Sequence, residues 1–274
     1  MTRLLSIEWN KFFYNKGTRI FLILYFLMIV GMGIVLPNIK PKLNGLEIDF
    51  IKLGSLEFPV IWHNITWLIS FGKFFLAVIV INNISNEYSF GTFKQNVIDG
   101  LTKREFMQSK VLMNFLFALI STLFVVTIVV ILGAIFSEKF DLLNGIEFIA
   151  GYFVEIFAYI VLAMFLTFLL KKSVFAILSL FVLLIGEAIF RVIEFFIRKG
   201  AEKLGEDNPL FTSYLPLSSN GKILGFPPGD VTKYLMGNKF FQESHVNWEY
   251  FITNIIYIIV FLSLSYLIVK KRDL

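Results

Sequence analysis

Lys73, Glu155, Glu187 and Arg191 stand in or beside long apolar stretches of this 274-residue chain. A charge at mid-bilayer costs about 2.5–3.5 kcal/mol on insertion scales, so each should face protein or water. Counted along a helix at about 1.5 Å per residue, Lys73 and Glu155 reach similar depths, close enough for their side chains to meet. Two readings are open: a structural tie between helices, or a polar point on a transport path or at a dimer seam. Glu187 and Arg191 are four residues apart on one helix face, the spacing of a local ion pair.

Other chemistries are poorly provided for. The chain has no cysteine, which excludes disulfides and thiolate metal sites. Its two histidines, His63 and His245, are far apart in sequence and suggest no ligand cluster. A phosphate-binding loop needs Gly-x-x-x-x-Gly-Lys-Ser/Thr. Gly72-Lys73 and Gly221-Lys222 are followed by Phe74 and Ile223, and neither pair has the upstream glycine. Asn64-Ile65-Thr66 matches a glycosylation sequon but falls within an apolar run.

The elements that must position these residues are six apolar runs, at 20–36, 58–84, 111–136, 146–170, 173–190 and 250–269. A bilayer core of about 30 Å needs about 20 apolar residues of helix. Backbone amides in lipid must be bonded internally, so the runs are helices. Hydrophobic residues make up 57% of the chain and charged residues 16%, and mean hydropathy is +0.76. The expected fold is therefore an all-α membrane protein with six transmembrane helices, and a soluble single-core enzyme is excluded. The first run is too long for an ordinary signal-peptide core, and five more come after it.

Basic residues orient the bundle. Arg3, Lys11, Lys16 and Arg19, then Lys94, Lys103, Arg104 and Lys110, then Lys171 and Lys172, then Lys270, Lys271 and Arg272 all fall on one side of a six-span chain. The opposing short loops hold Lys40, Lys42, Lys52 and Lys139. That bias places both termini in the cytoplasm and explains the net charge of +5 without nucleic acid. Residues 1–17 read as an interfacial helix, with Leu5, Trp9, Phe12 and Phe13 against Arg3, Glu8, Lys11 and Asn15. Pro37 and Pro41 stop the first span. Segment 85–110 reads as a cytoplasmic connector with one short amphipathic helix through Phe93, Val97 and Ile98. Gly91 and Gly100 bracket that helix, and Thr102 caps the next one. Segment 191–249 is a long outer loop. It begins as an amphipathic helix and turns irregular where Pro209, Pro216, Pro227 and Pro228 mix with glycines, while Phe211, Tyr214, Leu215 and Leu217 argue for some packing.

Glu87, Gly91-Thr92, Arg104 and Lys110 together resemble the signature of the ABC type-2 permease family, the membrane subunits of ATP-binding-cassette exporters. That pattern runs acidic-x-x-x-Gly-Thr, a mixed stretch, Arg, then Gly-Lys; here Ser109 precedes the lysine. The opening Arg3-Leu4-Leu5-Ser6-Ile7-Glu8 resembles the family's N-terminal elbow helix, and the order of elements covers the whole chain. The outer loop is longer than in the plainest members. The resemblance implies a cytoplasmic coupling helix that docks into the ATPase subunits through Glu87, Gly91, Thr92, Phe93, Arg104 and Lys110. It implies pairing with a second permease, and ATP and Mg bound by the partner with no cofactor in this chain. It also implies export of a peptide, drug or lipid across a bacterial cytoplasmic membrane.

Two other classes remain. An ion-coupled transporter or channel would carry inverted repeats or broken mid-span helices, and no halves are evident. A polytopic intramembrane enzyme is the third. Glu187-x-x-x-Arg191 also resembles a motif of intramembrane metalloproteases, but those need a second adjacent glutamate, where Gly186 stands, and histidines on later spans.

Overall fold

The computed structural model describes residues 8–9, 11, 15–38, 40, 42–43, 46–47, 49–92, 95, 98, 100–200, 210–236 and 239–271. Most of the interfacial segment 1–17, together with Phe93, Lys94, Val97 and Arg272, lies outside the described residues.

The described residues are mostly helical. Its main elements are α1 (Lys16–Asn38), α2 (Val60–Ser70), α3 (Lys73–Ser89), α4 (Lys103–Phe136), α5 (Glu147–Leu170), α6 (Ser173–Gly200), a 3-10 turn (Phe211–Tyr214), α7 (Pro216–Lys222), α8 (Val231–Leu235) and α9 (Trp248–Lys271). A two-residue antiparallel pair, Lys42–Leu43 with Leu46–Glu47, sits in the loop after α1. Among the described residues, helices α1, α4, α5, α6 and α9 are long and apolar enough to cross a membrane, and α2 with α3, bent by 42°, is long and apolar enough only when the two are taken together.

That bend differs from the uninterrupted second span expected at 58–84. The helix stops at Ser70, Phe71-Gly72 bridge the gap, and α3 starts at Lys73. Gly72 is required there: a Cβ would stand 2.4 Å from Met28 Cε and 2.7 Å from a Tyr25 ring carbon on α1. Boundaries differ elsewhere too. Helix α4 begins eight residues before Val111, so Arg104 and Lys110 are helical rather than part of a loop. Thr102 starts it with a capping box, its hydroxyl accepting from the Glu105 amide while Glu105 accepts from the Thr102 amide. Gly91 and Gly100 both take positive φ, 68° and 94°, at the two ends of the preceding segment.

Helix α5 is the axis of the bundle. Its most apolar window is 78% buried, against 17% for α6 and for α9. Gly151 and Ala158 let neighbours approach closely; a Cβ on Gly151 would lie 3.1 Å from Leu224. Tyr152 joins α5 to α1 and α4 through hydroxyl contacts with Tyr25 (3.1 Å) and Ser121 (2.9 Å). Such interhelical polar ties specify packing where lipid supplies no hydrophobic drive. The outward faces of α1, α6 and α9, with Leu27, Val182 and Ile259 well exposed, suit hydrocarbon.

Contacts sort the connections between the long helices into two ends. At one end Lys11 meets Glu87, Ser85 donates to the Lys171 carbonyl, and Lys103 Nζ donates to the Lys270 carbonyl. At the other, Lys239 pairs with Glu57, His245 with Glu147, and the Phe58 amide donates to Ser137 Oγ. The first end gathers the basic segments.

Candidate functional site

Two buried polar groups stand out. At the basic end, Lys110 sits two turns into α4 with 2% side-chain exposure. Its ammonium reaches Glu8 at 2.5 Å, Glu87 at 2.7 Å and Asn83 at 2.9 Å. Lys11 adds a second cation, 2.7 Å from Glu87 and 3.2 Å from Glu8. Two lysines and two glutamates thus neutralise each other, with Lys110, Glu8 and Glu87 buried and Lys11 partly exposed, and pairing is the condition under which burial of charge is tolerable. Burial pushes the Glu8 carboxyl upward, but Lys110 and then Lys11 outweigh it and hold it below its ordinary 4.5. Lys11 is affected oppositely: burial lowers it, Glu87 and Glu8 prevail, and it ends above 10.5. The cluster bolts the N-terminal segment to α3 and α4.

This arrangement places two residues of the docking set inside the protein. Glu87 and Lys110 are 4% and 2% exposed and are consumed by internal ion pairs, so neither presents a free group to a partner. The apolar run starts only at Val111, so composition alone assigns Lys110 to the loop and hides its place inside α4. What the end does present is Phe90 (77% exposed), Gly91, Ile98 (82%) and Arg104, with Thr92 half-buried. Phe93 lies outside the described residues.

The second group lies at the break in span two. Lys73, the first residue of α3, places Nζ 2.6 Å from Glu155 Oε1 on α5, the tie that their depths suggested. The same ammonium is 2.8 Å from Asn220 Oδ1 and 5.4 Å from the centre of the Tyr159 ring. Asn220 belongs to α7, in the outer loop. Its amide donates to the Glu155 carbonyl (2.8 Å) and to Asn254 of α9 (3.3 Å). Glu155 Oε2 is buried with no hydrogen-bond partner among the described residues.

The outer loop therefore enters the bundle. Ser218, Ser219, Asn220, Ile223 and Leu224 are all buried. Glu187 and Arg191 hold it there instead of pairing with each other. The Glu187 carboxylate accepts from the Leu217 (3.0 Å) and Ser218 (2.6 Å) amides at the start of α7, and Arg191 Nη2 donates to Ser218 Oγ at 2.6 Å. Amides freed at a helix start need such an acceptor, a demand invisible in the spacing of Glu187 and Arg191. Asn220 and Asn254 escape sequence reasoning for the same cause: a lone amide in a Pro/Gly-rich loop carries no signal of its distant partner.

The two histidines also converge. His63 on α2 and His245 line one 210 Å³ cavity at the end opposite the basic one, with Glu147, Glu243 and Ser244. His63 Nδ1 is 2.5 Å from Ser244 Oγ, and His245 Nδ1 is 2.9 Å from Glu147. Among the described residues no three His, Asp or Glu side chains are placed to hold a metal. Asn64 is buried, and its amide donates to the Ser55 carbonyl, so the sequon is no surface acceptor.

Fold and site define a multi-pass helical membrane protein with one neutralised ion cluster at its basic end and one at a mid-span break. Residues 54–274 match the model of a family described as Protein of unknown function (DUF2705), and the chain belongs to that family. The match takes in both clusters except Glu8 and Lys11. No curated protein matches the chain.

Proposed function

We propose that this protein is the permease subunit of an ABC exporter, moving a peptide, drug or lipid across a bacterial cytoplasmic membrane. A separate ATPase dimer, gripping the basic end, supplies the energy. The observation that carries the reading is in segment 90–102. Its described residues include exposed Phe90 and Ile98 at the end where the basic segments gather, with positive-φ Gly91 and Gly100 on either side of Ile98. Its roots are Glu87 and Lys110, so a push on the turn reaches α3, α4 and the N-terminal segment through the buried cluster. The basic end is cytoplasmic by the positive-inside rule, with both termini there. The N-terminal segment acts as an elbow helix, and a second permease copy completes the pathway.

The bent second span favours one other reading. A helix broken at Gly72 beside Lys73 and Glu155 is the mark of an ion-coupled transporter. One preparation separates the two. The exporter copurifies in mild detergent with a P-loop ATPase whose hydrolysis is stimulated by the permease, and Gly91→Val, which strains a φ of 68°, abolishes the stimulation while leaving membrane insertion intact. Absence of any bound ATPase, with uptake or efflux driven by an ion gradient alone, overturns it.

A further inference from the structure

A groove of about 370 Å³ runs between α4 and α9 at the basic end, lined by Arg104, Met107, Gln108, Val111, Leu262 and Tyr266. Its volume falls in the range of small-ligand sites, about 300–1,000 Å³. The lining follows α4 away from its exposed start. Arg104 is exposed, and the groove continues for seven residues of α4, about 10 Å of rise, to Val111. Met107, Val111 and Leu262 supply its apolar lining, and Gln108 and Tyr266 are its polar-tipped side chains.

Charge near the mouth is mainly basic among the described residues. Lys103, next to Arg104 on α4, donates to the Lys270 carbonyl of α9 (3.3 Å), and Lys271 follows, so basic residues of both helices meet at this end. The nearby carboxylate, Glu105, is turned back onto Thr102, accepting from its amide at 2.9 Å and its hydroxyl at 2.7 Å. A planar guanidinium beside ammonium groups suits a phosphate, and basic pockets between spans at the cytoplasmic face are where anionic headgroups bind. The apolar floor adds what a free phosphate cannot use: a track for an acyl chain.

We propose that the groove between α4 and α9 is a binding site for one anionic phospholipid, its phosphate on Arg104 and an acyl chain along Met107, Val111 and Leu262. The site does not depend on the transport reading. It lies between α4 and α9 at the end where segment 90–102 leads into α4.

The test is native mass spectrometry of the purified full chain after reconstitution in equal phosphatidylglycerol and phosphatidylcholine. Wild type is expected to retain phosphatidylglycerol at least threefold over phosphatidylcholine. Arg104→Gln should bring that ratio close to one, Arg104→Lys should keep most of it, and Leu262→Trp, which fills the floor, should lower total lipid retained. Should Arg104→Gln fail to fold, Leu262→Trp is the deciding variant. Equal retention of both lipids by wild type overturns the site, as does a ratio unmoved in Arg104→Gln. Displacement of the lipid by millimolar glycerol phosphate would mark a soluble-anion site and contradict the proposal. So would loss of the lipid whenever an ATPase subunit is bound, which would assign the groove to a protein partner.

Discussion

The two buried ion clusters are made from the same residue types and differ in redundancy. At the basic end two lysines face two glutamates, and each carboxylate touches both cations. At the break in span two, one lysine faces one glutamate, and the remaining ligands are amides brought in by a loop helix about 150 positions further along the chain. The first is a lock, neutral within itself and buried except for Lys11, which is partly exposed. The second is a junction whose integrity depends on α7 staying seated, and seating depends on Glu187 and Arg191 holding the start of that helix. The proposed exporter would pass force through the lock and change its arrangement at the junction.

Breaking the lock should have the largest effect. Lys110→Met strands Glu8 and Glu87 out of water with only the more exposed Lys11 left to serve them. Removing one partner of a buried pair costs about 3–5 kcal/mol, so the thermal midpoint in detergent should fall sharply. Lys11→Met should cost far less, and equal losses from the two lysines would refute the division of labour. At the junction, Lys73→Met should cost about 2–4 kcal/mol, since Lys73 is 18% exposed and water relieves part of the loss. Adding Glu155→Gln should restore most of it, whereas additive losses in the double variant would show that the pair is not coupled.

Smaller effects sharpen the contrast. Gly72→Ala forces α1 off the break, against Met28 and Tyr25, and overpacking of this kind costs about 1–3 kcal/mol. Midpoint measurements alongside Lys73→Met would show whether bend and ion pair act together. Thr102→Ala removes the capping box for about 1 kcal/mol and should leave the junction untouched, read as an unchanged midpoint shift on combining it with Lys73→Met.

Acid offers a mutation-free probe of the lock. Glu8 titrates below its ordinary 4.5 in the folded protein, so its contribution is present above that value and is lost as pH falls through the lowered one. Lys11 titrates above 10.5, so its contribution is complete below 10.5 and is lost as pH rises through the raised one. Between those limits attachment of the N-terminal segment should be flat with pH. Limited proteolysis at residues before Lys16 should accelerate only below about pH 4.5 and above 10.5, and a steep change near neutrality would contradict the assignment.

Legibility in the sequence divides along the same line. Apolar length locates the long helices, helical rise places Lys73 and Glu155 at similar depths, and Thr102 marks the start of α4, because each is a local or one-dimensional signal. The break at Gly72 is hidden inside an unbroken apolar run, where a single glycine reads as filler; only the Tyr25 and Met28 side chains of another helix reveal why it is there. Glu187 resembles half of an i,i+4 pair because its true partners are backbone amides about thirty residues away. Long-range polar satisfaction, not helix formation, is the part a linear reading misses.

The central claim, that the Phe90–Thr102 turn is a cytoplasmic grip for a separate motor, is tested most directly by its sidedness. The chain has no cysteine, so Ile98→Cys creates a single reactive thiol at a position 82% exposed. A membrane-impermeant maleimide should fail to label it in intact cells, label it in inverted vesicles, and lose that labelling when the ATPase subunit is bound. Labelling from outside intact cells, or labelling of inverted vesicles indifferent to any ATPase, would contradict the account.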